Sequence, residues 1–157
     1  MIDPIEAQPA MAELIAAAHD AALRAYAPYS GFHVGAALRL KDGRIITGAN
    51  VENASYGLTL CAETTAIAKL ASDGCMDQLQ AVAIIGGRMI DGRLTGADPV
   101  TPCGRCRQIL NESAEQSQVD IAILCASADG ASSRSYQLSD LLPAAFGPKA
   151  LGLTGRE

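Results

Sequence analysis

The sequence contains no tryptophan and only two phenylalanines, and nowhere does it gather lysine and arginine into a basic run. Proteins that bind a phosphate backbone need such basic clusters, so this absence and the net charge of −5 argue against a nucleic-acid partner. No apolar run approaches the roughly 20 residues of a membrane-spanning helix, and the first residues lack the basic and apolar segments of a signal peptide. These absences predict a cytoplasmic protein that acts on a small molecule, away from membranes.

The five cysteines are an odd number, which does not suit a disulfide framework where no export signal is expected. Metal binding or catalysis is the more natural use of these thiols. The remaining composition is that of a globular protein, with 49% hydrophobic and 18% charged residues. A chain of 157 residues predicts one domain spanning 1–157, in which 1–9 and 152–157 form peripheral tails.

Hydrophobic periodicity predicts helices and strands that alternate after an initial hairpin. The first strand alternates apolar and polar positions, which indicates one buried face, and Asp42-Gly43 is a turn signal that leads into an antiparallel second strand. Thr101 is the expected N-cap of the last helix. The predicted helices are 9–26, 61–72 and 101–116, and the predicted strands are 32–40, 45–51, 81–85, 119–125 and 135–138, with loops at 53–60 and 91–98 and an irregular tail from 143. This order indicates an α/β layered domain with a mixed sheet.

Two short motifs carry the chemistry, and they read Cys61-Ala62-Glu63 and Pro102-Cys103-Gly104-Arg105-Cys106. Both lie at predicted helix N-termini, where unpaired backbone N–H groups stabilise thiolates. Cys61, Cys103 and Cys106 are therefore predicted to hold one Zn²⁺ per chain with a fourth position open for water, as in catalytic zinc sites. Zinc lowers the pKa of such a water to about 7. Glu63 lies two residues after the first ligand, where it can carry protons without binding the metal.

Simpler interpretations of the cysteines stay open. A Cys-x-x-Cys pair also occurs in structural zinc sites and redox pairs, and a structural zinc site closes with a fourth Cys or His. Cys75 and Cys125 are candidates for that fourth ligand. Cys125 ends a predicted buried strand and is interpreted as a packing residue, whereas the role of Cys75 is left open.

Five segments, in order, resemble the cytidine deaminases of the small, three-cysteine, homotetrameric type. They are the two cysteine motifs, the second extended by Arg107-Gln108, together with YSGFHVGAAL at 29–38, GANVENASYG at 48–57 and LLPAAFGP at 141–148. The resemblance implies a three-layer α/β/α fold with a five-stranded mixed sheet. It also implies zinc-dependent hydrolytic deamination of cytidine and 2′-deoxycytidine in pyrimidine salvage, by a homotetramer with shared active sites.

The resemblance further implies contacts to the nucleoside. Asn50 and Glu52 are expected to bind the ribose hydroxyls, a role that suits an amide and a carboxylate. From the residues alone, a polar strand end is an equally good interpretation of this pair. The backbone N–H of Ala62 would meet the pyrimidine carbonyl.

Three aromatic residues are expected at the site on the same grounds. Phe32 would pack on the base, although without the resemblance it would be interpreted as a core residue. Phe146 would pack on the base from a neighbouring subunit, and Tyr56 would cross an interface to complete an adjacent site.

The chain departs from the family at Thr64, where an arginine commonly follows the glutamate. Three thiolates on Zn²⁺ leave a net charge of −1, which makes the metal a poorer Lewis acid unless positive charge or hydrogen bonds offset it. Arg107, directly after the last cysteine, is expected to provide this charge compensation together with the two helix N-termini.

Three other functions are compatible with the cysteine motifs. A deaminase of another small cytosine-bearing molecule, such as a nucleoside antibiotic, is disfavoured by the expected ribose contacts. A polynucleotide-editing deaminase is disfavoured by the acidic charge. A non-catalytic, zinc-stabilised module would be recognised by a fourth protein ligand on the metal.

Overall fold

The computed structural model describes the backbone of residues 4–153 and the side chains of residues 9–153. Helices and strands alternate along most of the chain, with short 3-10 helices at Tyr56–Leu58 and Pro148–Leu151. The helices are α1 (Pro4–Ala22), α2 (Ala62–Ser72), α3 (Gly104–Ser117) and α4 (Leu138–Leu141). The strands are β1 (Phe32–Leu40), β2 (Ile45–Ala49), β3 (Leu79–Ile90), β4 (Arg93–Thr95), β5 (Ala122–Ser127) and β6 (Ser133–Gln137).

The strands form one mixed sheet with the order β2-β1-β3-β5-β6, and β4 pairs with the far end of β3. β3 and β5 run parallel, and α3 lies in the connection between them, as a parallel crossover requires. The other strand pairs are antiparallel. The predicted mixed α/β architecture is confirmed, but the predicted count of five strands is wrong because β4 makes a sixth.

β3 continues through Gly86-Gly87, beyond the predicted end of this strand. A Cβ on Gly87 would overlap the backbone oxygen of Thr95, so glycine is needed where β4 comes close to β3. Asp91 and Gly92 then reverse the chain with φ angles of 49° and 74°, as in a two-residue type I′ hairpin. The predicted loop at 91–98 therefore contains a hairpin, and Asp91-Gly92 was the signal that could have revealed it.

Helices cover both faces of the sheet, which confirms the three-layer arrangement. α1 packs on one face against a cluster that includes Ala37, Ala83, Ile85 and Leu124. α2 and α3 pack on the other face against a cluster that includes Leu38, Val82, Ile84 and Ile123. The prediction that β1 has one exposed face is wrong, because its small residues bring α1 directly onto it: a Cβ on Gly35 would overlap the Ala18 oxygen.

The boundaries of three helices differ from the predictions. α1 begins at Pro4, before its predicted start at residue 9. α1 ends at Ala22 because the backbone of Tyr26 pairs with the end of the hairpin: its N–H donates to Asn50 O at 3.0 Å, and its oxygen accepts from Glu52 N–H at 2.8 Å. α3 begins at Gly104 because Cys103 has an extended backbone and is the N-cap, two residues later than predicted. α2 begins at Ala62, one residue after its predicted start, because Cys61 is its N-cap.

No helix within residues 4–153 combines the length and the apolar character needed to cross a membrane. The predicted tails, 1–9 and 152–157, lie partly outside the described residues. The organisation of 1–157 as one domain stays a prediction.

Candidate active site

The three predicted zinc ligands meet where α2 and α3 begin. The Sγ atoms of Cys61, Cys103 and Cys106 all lie within 4.8 Å of one another, and those of Cys61 and Cys103 are 3.9 Å apart. Cys61 and Cys103 are the N-caps of α2 and α3, yet neither side chain makes a capping hydrogen bond. Both sulfurs are therefore free to face the third one.

This cluster fits one zinc ion per chain. Thiolates are good zinc ligands, and three protein ligands are typical of catalytic zinc sites. Burial raises the pKa of the Cys106 thiol, and the neighbouring Glu63 carboxylate raises it further. An anionic sulfur would therefore be unfavourable here without a cation. Cys103 is exposed while Cys106 is buried, so the cluster is accessible from one side.

The two remaining cysteines lie outside the cluster. Cys125 is buried in the core between the sheet and the helices α2 and α3, as the packing interpretation predicts; burial raises the pKa of its thiol to about 11. Cys75 accepts a hydrogen bond from Arg44 Nη2 at 3.4 Å and donates one to the Asp73 oxygen at 3.3 Å. In the part of the chain that the structure describes, the group able to hold a metal consists of three cysteines without a fourth ligand.

Glu63 lies on the first turn of α2 with only 4% of its surface exposed. Burial raises the pKa of its carboxyl above the ordinary value, although hydrogen bonds from its own backbone N–H and from the Cys106 thiol act in the opposite direction. A carboxyl with a raised pKa holds and releases a proton closer to neutral pH, which is what proton transfer at that pH requires.

Glu52 is held in place by the segment that precedes β1. The backbone N–H groups of Tyr29 and Ser30 donate to its Oε2 at 2.9 and 3.2 Å, and the Ser30 hydroxyl donates to its Oε1. The Ser30 hydroxyl lowers the pKa of the Glu52 carboxyl. Ser30 Oγ also accepts the Phe32 N–H at 3.0 Å, so one serine connects two predicted substrate contacts. Sequence reasoning missed Ser30, because 22 residues separate it from Glu52 and no local pattern signals such a contact.

Asn50 joins the ends of β1 and β2. Its Oδ1 accepts the Val34 N–H at 2.8 Å, and its Nδ2 donates to the Phe32 oxygen at 3.0 Å. A primary amide has a second N–H and a second lone pair, so Asn50 can support the strand end and still bind a ligand. A backbone bridge between Val51 and Leu60 then brings the Asn50–Glu52 segment next to the residue that precedes Cys61.

Two of the predicted aromatic contacts lie on the surface of the single chain. Tyr56 is 73% exposed and Phe146 is 64% exposed. The Tyr56 ring packs edge-on against Tyr29 with 5.7 Å between ring centroids. The Phe146 oxygen accepts a hydrogen bond from Gln108 Nε2 at 2.8 Å, which ties the C-terminal segment to α3. The single chain thus gathers the sulfurs and Glu63 but leaves these two rings uncovered.

Arg107 contacts backbone rather than sulfur. Its Nε donates to the Pro102 oxygen at 2.8 Å, and its Nη1 donates to the Leu141 oxygen at 2.9 Å. Within residues 9–153 it has no hydrogen bond to a cysteine of the cluster. Thr64 places its Oγ1 3.7 Å from Cys106 Sγ.

Comparison with known proteins matches the same region. The sequence profile of the cytidine and deoxycytidylate deaminase zinc-binding region covers residues 10–122, which include the three cysteines and Glu63. The cytidine deaminase of Halalkalibacterium halodurans is 45% identical over 122 residues, which are 78% of this chain and 83% of that protein. The cytidine deaminase of Mycobacterium tuberculosis is 44% identical over 131 residues, which are 83% of this chain and 84% of that protein.

Solved structures agree with these sequence matches. The crystal structure of a cytidine deaminase from Burkholderia pseudomallei superimposes with a TM-score of 0.75 at 40% identity, covering 86% of this chain and 98% of that chain. The crystal structure of the cytidine deaminase from Mycobacterium tuberculosis gives a TM-score of 0.65 at 43% identity, covering 87% of this chain and 97% of that chain. The similarity therefore extends from the cysteine motifs to most of the fold.

Proposed function

This chain belongs to the cytidine and deoxycytidylate deaminase family, and we propose on that basis that it catalyses the zinc-dependent hydrolytic deamination of cytidine and 2′-deoxycytidine. The products are uridine or 2′-deoxyuridine and ammonia. The observation that carries the proposal is the meeting of three cysteine sulfurs beside the buried Glu63. A purely structural zinc site has no need of a buried carboxyl at that position.

We assign the zinc ligands as Cys61, Cys103 and Cys106. When bound, the ion supplies a Lewis acid that lowers the pKa of water to about 7. The chain itself provides the sulfurs in a fixed position, because two of the cysteines are the N-cap residues of helices and the third lies on the first turn of α3. The exposed side of the cluster, at Cys103, is the approach for the substrate.

Glu63 moves the protons in this proposal. The reaction forms a C–O bond at C4 of the pyrimidine and breaks the bond from C4 to the amino nitrogen. Glu63 accepts one proton from the attacking water and donates it to ring N3. It then transfers the second proton of that water to the amino group, which leaves as ammonia. The raised pKa of its buried carboxyl suits a group that must accept and donate in turn.

The nucleoside contacts are proposed from the residues around β1 and β2. Glu52 and Asn50 bind the ribose hydroxyls, Phe32 packs on the base, and the Ala62 N–H meets the pyrimidine carbonyl. The hydrogen bonds from Tyr29 and Ser30 support this role, because they hold the Glu52 carboxylate ionised and fixed before any ligand arrives.

Arg107 is proposed to offset the negative charge of the site without touching a sulfur. Its guanidinium is anchored by carbonyls at the start of α3 and in the C-terminal segment. A positive charge near the cluster favours bound thiolates through space. We expect Arg107→Ala to weaken zinc retention for this reason.

The test of the proton role is Glu63→Gln, with Glu112→Gln, an exposed glutamate of α3, as the matched control. We expect Glu63→Gln to keep one zinc per chain and to lose turnover by about 10²- to 10⁴-fold, the usual contribution of a positioned acid–base group. Zinc is measured by atomic absorption and turnover by the ultraviolet absorbance of cytidine. Near-normal turnover would contradict the mechanism, and loss of zinc would make Glu63 a metal ligand instead.

The substrate class is tested with cytidine, free cytosine and dCMP in the same assay. Turnover of cytidine with little turnover of cytosine is expected, because the proposed contacts of Asn50 and Glu52 require a sugar. Turnover of free cytosine at the same rate would remove the basis for those contacts.

We further propose a homotetramer in which Tyr56 and Phe146 complete the sites of neighbouring subunits. Their high exposure in the single chain supports this, because large exposed aromatic rings often mark interaction surfaces. Light scattering measures the assembly. Mixing inactive Glu63→Gln chains with inactive Phe146→Ala chains tests the sharing of sites: mixed oligomers regain activity if the ring comes from the neighbour. An active monomer would exclude the arrangement.

A cytoplasmic location and a role in pyrimidine salvage complete the proposal. None of the five cysteines forms a disulfide, which fits a reducing compartment. Deaminating a nucleoside without degrading its sugar is the chemistry that salvage needs.

A further inference from the structure

Among the described side chains, residues 9–153, no lysine or arginine makes a hydrogen bond to a sulfur of the cysteine cluster. Three thiolates around one divalent ion carry a net negative charge, and the buried Glu63 lies beside them. Arg107, the cation expected to offset this charge, gives its Nε and Nη1 hydrogen bonds to the Pro102 and Leu141 oxygens. The most deeply buried thiolate, that of Cys106, therefore receives no hydrogen bond from Arg107 and would be stabilised by a neutral donor group.

Thr64 provides such a group. Its Oγ1 lies 3.7 Å from Cys106 Sγ, and both residues sit near the helix N-termini that form the cluster. A metal-bound thiolate has no proton to give, so the hydroxyl must be the donor in the loaded site. Cys106 is fully buried in the single chain, which keeps bulk water from competing as a donor.

The other hydroxyls of α2 behave differently. Thr65 Oγ1 donates to the Cys61 oxygen at 3.2 Å, and Ser72 Oγ donates to the Ala68 oxygen at 2.9 Å. Both bonds go to the carbonyl four residues earlier, the usual partner of a serine or threonine inside a helix. Thr64 is next to Thr65 on the same turn, but its hydroxyl meets a sulfur of another helix.

We infer that Thr64 is a positioning residue of the zinc site: its hydroxyl donates to the Cys106 thiolate, fixes that sulfur and offsets its charge. This inference rests on the proposed function only in requiring that the three cysteines bind zinc. A hydrogen bond to a ligating thiolate draws electron density from the sulfur, so the metal stays a stronger Lewis acid. At this position a neutral hydroxyl thus offsets part of the thiolate charge, as a cationic side chain would.

The test compares Thr64→Val, which keeps the shape and removes the hydroxyl, with Thr64→Ser, which keeps the hydroxyl. Thr65→Val is the matched control, because it removes a hydroxyl from the same turn without touching a sulfur. Zinc affinity is measured by competition with a chromophoric chelator. We expect Thr64→Val to lose about 10- to 100-fold in zinc affinity, the usual effect of removing a partner of a metal ligand. Thr64→Ser and Thr65→Val are expected to bind zinc like the unmodified protein.

A spectroscopic measurement separates this role from a general effect on the fold. In the Co²⁺-substituted protein, loss of the hydrogen bond raises the energy of the sulfur lone pair, so the thiolate-to-cobalt charge-transfer band moves to longer wavelength in Thr64→Val alone. Thermal melting of the metal-free forms checks folding. If the valine variant does not fold, Thr64→Ala takes its place, because alanine is the better helix former.

The inference is overturned if Thr64→Val binds zinc and absorbs like the unmodified protein, or if Thr65→Val loses as much affinity. It is also overturned if Thr64→Ser fails to retain tight binding. Neither readout involves substrate. A chain that shows the expected zinc and cobalt results but does not deaminate cytidine would refute the proposed function and leave the role of Thr64 intact.

Discussion

On each face of the sheet a helix packs closely against a glycine of a strand, but the two faces differ in the side chains that they bury. α1 comes onto β1 at Gly35, where a Cβ would overlap the Ala18 oxygen. α2 comes onto β2 at Gly48, where a Cβ would overlap the Ala66 nitrogen and lie 2.6 Å from the Ala62 oxygen. The α1 face is closed by small and branched aliphatic side chains. The α2 face includes, besides its aliphatic core, the buried Glu63 at the start of its helix.

The helices that carry the site residues lack a stabilising interaction at their N-termini. A serine or aspartate at a helix N-cap stabilises the helix by bonding a free backbone N–H. α2 and α3 instead have Cys61 and Cys103 as N-caps, without a capping bond from either side chain. Departures from a local rule are expected at functional sites, because the gain appears in function rather than in folding.

The largest effect on stability is expected from alanine substitutions at Gly35 and Gly48, the two glycines against which the helices pack. Gly35→Ala and Gly48→Ala each force a methyl group into backbone atoms that cannot move away cheaply. Each is expected to lower the free energy of unfolding by about 3 kcal/mol, at the upper end of overpacking effects. Urea denaturation measures the change, and Gly57→Ala, where a Cβ meets nothing within 4 Å, is the control.

The two variants should then differ in metal binding. In the folded molecules of the Gly48→Ala variant, the new methyl group displaces the N-terminal turn of α2, where Cys61 and Glu63 lie. Zinc affinity is therefore expected to fall. Gly35→Ala disturbs only the α1 face and keeps normal affinity. Equal zinc affinity in the two variants would break the proposed division between the faces.

A smaller effect is expected from Ser30→Ala, which tests hydrogen bonding rather than packing. Losing the hydroxyl that holds Glu52 is expected to raise KM for cytidine about 2- to 10-fold, the worth of one ordinary hydrogen bond, with little change in kcat. The Ser30 hydroxyl lowers the pKa of Glu52, so its removal raises that pKa. The rise of KM on acidification therefore begins at a higher pH in the variant. An unchanged pH profile would show that Glu52 does not bind the substrate as a carboxylate.

The smallest effect is expected from Cys103→Ser in the metal-free protein. Serine can cap α3, so the free energy of unfolding is expected to rise by about 0.5–1 kcal/mol, while zinc affinity falls sharply. Cys125→Ser is the contrast, because a hydroxyl in that apolar core lowers stability by about 1–3 kcal/mol. If the metal-free Cys103→Ser protein is less stable than the unmodified protein, Cys103 does not cost α3 the stability of a capping hydrogen bond.

Much of the site was predictable because its residues lie in short motifs. Cys61, Glu63 and the Cys103–Cys106 pair could be located from spacing, and the turn at Asp42-Gly43 from its two residues. The contacts of Arg107 with Leu141 and of Ser30 with Glu52 were not predictable, because they join distant positions. The sequence pattern predicts a half-exposed β1 because Gly35 and Ala37 are not strongly apolar, although their small size is what brings α1 onto the strand.

The most direct test of the central claim is a titration of the metal-free protein with zinc while the deamination of cytidine is followed by ultraviolet absorbance. The account predicts no turnover without metal and a linear rise of activity that stops at one zinc per chain, because among the described residues one group of three cysteines could hold the ion. Turnover in the metal-free protein, or a fully loaded chain that leaves cytidine unchanged, would contradict it.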